Sequence, residues 1–303
     1  MNFLAAYIMR GRLQAMTTAS SLALLSLLMP PVSILSSASV ALVTLRLGAT
    51  EGLYVLGASS LVAGLLGFML LGNFQFALIY VLVLWLPVWL ISIVLREGRH
   101  LSLAVEIAVL LGVIAVIGFY LYNPDIAAMW GKLFSQMTPD NLPPDAPVAD
   151  FKRTTDILSH YMTGIVAAGS VFSMLFGLFL GRWWQANLYN PGGFKAEYLS
   201  LSTQPRLAIG SLLVAVIAMV TPGMASEIAW NATILMFVLY SVIGTAVLHT
   251  LFAAMKLARF TVPMLYITLF LIPHALLIVA LVGLADAWLN LRKYQSKHST
   301  PKA

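Results

Sequence analysis

Long apolar runs separated by short polar segments dominate the chain. They lie at 13–28, 32–45, 53–71, 75–95, 101–122, 161–181, 207–221, 228–250 and 261–288. Apolar residues follow one another within each run, without the alternation that marks the strands of a membrane barrel. In lipid, a backbone satisfies its hydrogen bonds only as a helix or a closed barrel. The pattern therefore predicts an all-α polytopic bundle with about 8–10 membrane segments.

Some of these segments are short or interrupted. A helix needs about 20 residues to cross the hydrocarbon core, and the first, second and seventh runs fall short of that length. Pro30-Pro31 separates the first two runs, because proline cannot donate a backbone hydrogen bond. Pro273 interrupts the last run. It indicates either two half-helices forming a hairpin or one tilted helix with a kink.

Composition excludes a soluble fold. Only 9% of the residues are charged, 60% are hydrophobic and the mean hydropathy is +0.92, whereas soluble domains carry about 25% charge. We therefore expect residues 1–303 to form a single integral membrane domain in contact with the bilayer. Cysteine is absent, and no HExxH, GxSxG or Walker motif occurs. We expect no enzyme activity, no cofactor and no metal site.

The charges predict an orientation. The net charge of +6 comes from Lys and Arg at the ends of the apolar runs, which is typical of the positive-inside rule and not of a nucleic-acid partner. A cytoplasmic N-terminus makes 123–160 an extracytoplasmic loop and 182–206 a cytoplasmic loop. Within the former, residues 125–137 are expected to form a short interfacial helix. The basic tail at 291–303 is expected in the cytoplasm, which the hairpin alternative for the last run allows.

A stripe of small residues lies on the first long helix. Ala15, Ala19 and Ala23 recur every four residues and share one helical face. Small residues let membrane helices approach closely. The stripe therefore indicates either packing inside this bundle or docking of a second membrane protein.

The most distinctive string is Gly181–Phe194. Its aromatic residues Trp183 and Trp184 suit the headgroup region, and Asn190 begins an Asn-Pro-Gly-Gly turn. The closely spaced amides have a second interpretation, which is binding of a polar headgroup or a small ligand. The candidate binding residues of the string are Trp183, Trp184, Gln185, Asn187 and Asn190.

Glu106 is the other candidate binding residue, because intramembrane carboxylates are costly and commonly functional. Arg99 and His100 precede it by one to two turns and are candidate partners. An anchor at the membrane surface and a ligand or proton site are equally compatible with its position. His249, near the end of its run, is interpreted as an interfacial histidine.

Several of these features together resemble a known family. The Arg46-Leu-Gly48 turn, the Gly-Leu-Ala-Asp-Ala-Trp-Leu-Asn-Leu-Arg-Lys segment at 283–293 and the Gly181–Phe194 string resemble the YybS-like bacterial membrane proteins. That family is thought to be similar in fold to S-components of energy-coupling-factor transporters and to the cell-shape protein MreD. In S-components an alanine face on the first helix meets the coupling subunit, and the stripe from Ala15 to Ala23 matches it in position.

The resemblance implies a multi-pass protein of the bacterial inner membrane with an S-component-like fold. The leading hypothesis is a binding or transport subunit for a small solute, with a membrane partner docked through the first helix. A non-transporting scaffold in envelope assembly, as for MreD, and a carrier of lipids or headgroups are the alternatives.

Overall fold

A computed structural model describes residues 2–137, 148–254 and 258–292. In these parts the chain is mainly helical and contains no strand. The helices are α1 (Asn2–Ile8), α2 (Arg12–Leu25), α3 (Val32–Leu47), α4 (Ala49–Leu71), α5 (Gln75–Gly98), α6 (Leu101–Tyr122), α7 (Ile126–Met137), α8 (Val148–Tyr189), α9 (Gly193–Leu199), α10 (Pro205–Val220), α11 (Gly223–Ala254), α12 (Ala258–Leu271) and α13 (Ala275–Leu289).

The predicted all-α membrane bundle is confirmed. Helices α4, α5, α6, α8 and α11 are long and apolar enough to cross a membrane, and α3, α10, α12 and α13 are shorter apolar helices. The S-component-like topology remains a prediction. Residues 138–147 of the expected outer loop and residues 293–303 of the basic tail lie outside the described residues.

Two of the polar segments expected as loops are largely helical. The segment 123–160 contains α7, which confirms the short helix expected near 125–137, and the first turns of α8. The segment 182–206 contains the end of α8 and the whole of α9. Helix α8 is longer than the apolar run 161–181 and extends beyond it at both ends. The helix continues into polar positions outside the hydrocarbon.

Prolines end or bend the helices where the sequence indicated. Pro30 and Pro31 separate α2 from α3, and Pro273 lies in the short break between α12 and α13. The last run therefore forms two helices and not one kinked helix. In α5 a π-helical turn, Val81–Trp85, ends two residues before Pro87, whose missing N–H interrupts the α-helical hydrogen bonding.

Glycine contacts hold the central helices close together. A β-carbon on Gly181 of α8 would lie 2.7 Å from the β-carbon of Ala41 on α3. A β-carbon on Gly244 of α11 would overlap the carbonyl oxygen of Val279 on α13. Backbones at this distance gain dispersion contacts that lipid cannot supply, which is the main attraction between membrane helices.

The alanine stripe belongs to this internal packing. Ala15, Ala19 and Ala23 are each at most 1% exposed, and α2 packs against α3 and α4. The Ser36 hydroxyl of α3 donates to the Ala19 carbonyl oxygen at 2.7 Å. The face is covered by the chain's own helices, so it is not free to receive a second membrane protein. Of the two interpretations of the stripe, the structure supports helix packing.

Candidate ligand-binding cavity

Four aromatic side chains form a stripe along α8. Phe172, Phe176, Phe179 and Trp183 are spaced by four, three and four residues, which places them on one face of the helix. With a rise of about 1.5 Å per residue, the stripe extends over about 16 Å. We call these four residues the aromatic stripe.

The aromatic stripe forms one wall of a cavity of about 1050 Å³. Helices α9, α11 and α12 contribute most of the remaining wall. Besides the stripe, the lining residues are Phe194, Lys195, Tyr198, Leu199, Ser241, Val242, Thr245, His249, Ala253, Ala258, Arg259, Val262, Tyr266, Leu269, Phe270 and Leu276. The lining is mainly apolar, and two of its aromatic residues, Phe176 and Phe270, are 47% and 85% exposed.

A small polar group interrupts this apolar lining. The His249 ring lies between the rings of Tyr198 and Tyr266, with centroid distances of 5.7 and 5.5 Å. Its Nε2 atom is buried and has no hydrogen-bond partner among the described residues. A buried polar atom without a partner is uncommon and costly. Among the polar groups of this lining, the His249 ring is therefore the one with an unmet hydrogen bond.

Tyr198 is fixed by a hydrogen bond to α11. Its hydroxyl lies 2.7 Å from Thr245 Oγ1, and Thr245 in turn donates to the Val242 carbonyl oxygen at 2.8 Å. Burial raises the pKa of the Tyr198 phenol above its ordinary value, so the group stays neutral at physiological pH.

Two cations stand at the edge of the cavity. Lys195 of α9 and Arg259 of α12 both line it and both are exposed. Neither forms an ion pair within the part of the chain that the structure describes. By contrast, the neighbouring Arg182 is held by both carboxylate oxygens of Glu197, so its charge is already compensated.

Most of the binding residues predicted from Gly181–Phe194 do not lie together in the structure. Trp183 lines the cavity, whereas Trp184 is fully buried on another face of α8. The Gln185 amide donates to the Leu45 carbonyl oxygen of α3 at 3.1 Å, a contact that joins two helices. Asn187 is half-buried on α8, and Asn190 is exposed in the turn that Gly192 completes with a φ of 87°. The amides therefore do not converge on one ligand.

Glu106 also lies apart from the cavity. Its carboxylate accepts a hydrogen bond of 2.9 Å from the Thr203 hydroxyl, which ties α6 to the segment before α10. Neither Arg99 nor His100 forms an ion pair with it in the described ranges. No group of three or more potential metal ligands occurs among the described residues. Through this hydrogen bond, Glu106 anchors α6 to the segment before α10.

A second polar cluster joins α6, α8 and α11. His160 Nδ1 lies 2.9 Å from Glu227 Oε1, and the Tyr120 hydroxyl donates to Glu227 Oε2 at 3.2 Å. The fully buried Asn231 donates to the Tyr120 hydroxyl at 3.1 Å and to the His160 carbonyl oxygen at 2.8 Å, and its own oxygen accepts from the Gly164 N–H. These contacts satisfy the buried amide completely and fix three helices relative to one another.

The sequence contained part of the signal for the cavity. The helical spacing of the aromatic stripe is visible in the chain, but aromatic residues at that spacing are equally typical of a packed helix face. His249 was interpreted as interfacial, and only the fold shows that α9 and α12 place tyrosine rings on both of its sides.

Comparison with known proteins supports the membrane assignment. Residues 152–287 match the family described as "Predicted membrane protein (DUF2232)". No curated protein and no solved structure matches the chain. The matched segment covers a little under half of the chain and includes every lining residue of the cavity. The chain thus contains a region similar to an uncharacterised family of membrane proteins, and that region is the one that builds the cavity.

Proposed function

We propose that the protein is a membrane-embedded binding protein that holds a lipophilic small molecule in the cavity beside the aromatic stripe. The observation that carries the proposal is an apolar cavity of about 1050 Å³ whose lining includes His249, with a buried Nε2 atom that has no partner among the described residues. Sites for small molecules are typically apolar, with a few polar groups that fix orientation.

The composition of the wall favours a lipophilic ligand over a hydrophilic solute. A hydrophilic solute needs several hydrogen-bonding groups, because each polar group buried without a partner costs free energy. Here the Thr245 and Ser241 hydroxyls already donate within α11, to Val242 and to Phe237. The aromatic rings, in contrast, offer extensive apolar area. Of the three functions that the sequence left open, the carrier of lipids or similar molecules is supported best.

The proposal concerns binding and not catalysis. The polar groups of the cavity lack the paired acid and base that a hydrolytic or transfer reaction needs. We also propose the bacterial inner membrane as the location, with the N-terminus in the cytoplasm. The positive-inside rule supports this, since Arg46 stacks on Tyr189 and Arg96 donates to the Leu45 carbonyl oxygen, so these two cations lie near each other at the end of α3.

A cavity-filling variant tests the proposal. Val262 on α12 lines the cavity, and Val262→Trp should fill part of it. Ile267→Trp adds the same ring on the same helix at a position that is 58% exposed and does not line the cavity. The lipophilic molecules that co-purify per protein chain are counted by native mass spectrometry after mild extraction.

We expect a stoichiometric ligand in the wild type and in Ile267→Trp, and its loss in Val262→Trp. Gel filtration checks that both variants stay monodisperse. A wild type without any bound molecule, or equal retention by both folded variants, would contradict the proposal. A reproducible protein partner in place of a small molecule would favour the scaffold function instead.

A further inference from the structure

The cavity has a charged edge that a purely apolar ligand would not use. Lys195 and Arg259 belong to different helices, α9 and α12, yet both line the same cavity. Neither cation has an acidic partner within the described residues. Two unneutralised cations beside an apolar cavity attract an anion that is itself attached to something apolar.

The interior complements such a ligand along its length. The aromatic stripe offers an apolar wall about 16 Å long, running from Trp183 back to Phe172. The His249 Nε2 atom beside this wall is buried and has no hydrogen-bond partner among the described residues. Arginine and lysine recognise phosphate and similar oxyanions through charge-assisted hydrogen bonds.

We infer that the ligand is an amphiphile with an anionic headgroup, which Lys195 and Arg259 contact while its apolar chain lies along the aromatic stripe. This inference rests on the proposed function, because it names the class of molecule that the same cavity binds. The recognised chemistry is an oxyanion joined to a hydrocarbon chain. A free oxyanion is disfavoured because it would leave the aromatic wall without a partner.

The test is a competition between two lipids that differ only in charge. The full chain is reconstituted in nanodiscs that contain equal amounts of phosphatidylglycerol and phosphatidylcholine with identical acyl chains. The lipids that remain bound after mild release are then counted by native mass spectrometry. Each basic residue near a membrane surface adds about 1 kcal/mol of attraction for anionic lipid, so two should enrich the anionic lipid by about tenfold or more.

A variant that loses a cation outside the cavity provides the control. The double variant Lys195→Gln with Arg259→Gln should retain lipid without preference for either headgroup. Arg206→Gln removes an exposed cation that does not line the cavity and should keep the enrichment. Excess inorganic phosphate should not displace the retained lipid, and displacement by it would overturn the amphiphile in favour of a free anion.

The outcomes separate the two proposals. Equal retention of both lipids by the wild type would overturn the anionic headgroup but leave a lipophilic ligand in place. Enrichment that persists in the double variant would also overturn the assignment of the two cations. Retention of no lipid by any of the folded proteins would refute the proposed function together with this inference.

Discussion

Replacing the Asn231 amide by an apolar group of similar shape should show how much the hydrogen bonds between helices add to the free energy of unfolding. The packing of the helix faces is kept in such a variant. The carboxamide accepts from the Gly164 N–H and donates to the His160 carbonyl oxygen. Gly164 and His160 are one helical turn apart, so the carboxamide of Asn231 on α11 lies against one turn of α8. Leucine has a similar shape and lacks both polar groups, which makes Asn231→Leu the suitable perturbation.

The magnitude follows from the bonds that cross between helices. Asn231 forms three of them, to the Gly164 N–H, the His160 carbonyl oxygen and the Tyr120 hydroxyl. Side-chain hydrogen bonds between membrane helices contribute about 0.6 kcal/mol on average and about 1.7 at most. Three such bonds place the loss between about 2 and about 5 kcal/mol of unfolding free energy. We expect the lower end, because the two Asn231 N–H groups are shared among three acceptors, and the third acceptor is the Glu227 carbonyl oxygen of the same helix at 2.7 Å.

The free energy of unfolding is measured for the wild type and two variants in bicelles, with steric trapping as the readout of reversible unfolding. Thr233→Val is the matched control, because Thr233 lies on the same helix and its hydroxyl donates to the Ala229 carbonyl oxygen of that helix, at 2.8 Å. It should change the unfolding free energy by less than about 1 kcal/mol. If Asn231→Leu unfolds with the same free energy as Thr233→Val, the three interhelical bonds do not stabilise the fold.

Two further substitutions test the close contacts between backbones. Gly244→Leu should prevent the close approach of α11 to α13 and lower the yield of monodisperse protein in gel filtration. Gly57→Leu is the control and should be tolerated, because an added β-carbon there meets nothing within 4 Å. Ala19→Leu should lower the thermal unfolding midpoint, because overpacking a filled interface costs about 1–3 kcal/mol, and Thr17→Leu on the exposed face of α2 should not. A folded Ala19→Leu protein with an unchanged midpoint would show that the alanine face is less tightly covered than the structure indicates.

The sequence predicts the helical architecture well because lipid leaves so few alternatives. Apolar runs of sufficient length, bounded by proline or charge, specify α4, α5 and α6 almost residue by residue. The limits of α8 were predicted less well, since its apolar run ends at 181 while the helix continues to Tyr189. Hydropathy records where the hydrocarbon ends, whereas helix formation ends where a residue such as Gly192, at a φ of 87°, turns the chain.

The site could not be predicted to the same extent, because it depends on which helices become neighbours. Trp183 was singled out for its place in a distinctive string, and it does line the cavity. Gln185 came from the same string, but its amide is used by the Leu45 carbonyl oxygen of α3, a partner 140 positions away. His249 gave no signal in the sequence beyond its place near a helix end. Its surroundings come from α9 and α12, and no local pattern specifies that pairing.

The most direct measurement of the central claim is photocrosslinking in native membranes. A photoreactive amino acid at Leu269, which lines the cavity, is compared with the same residue at Ile217, which is 45% exposed on α10 and lies outside the cavity. If the cavity selects one lipophilic ligand, Leu269 should give a discrete adduct mass, and Ile217 should give only the mixture of bulk lipids. The same bulk mixture at both positions would contradict a ligand-binding cavity.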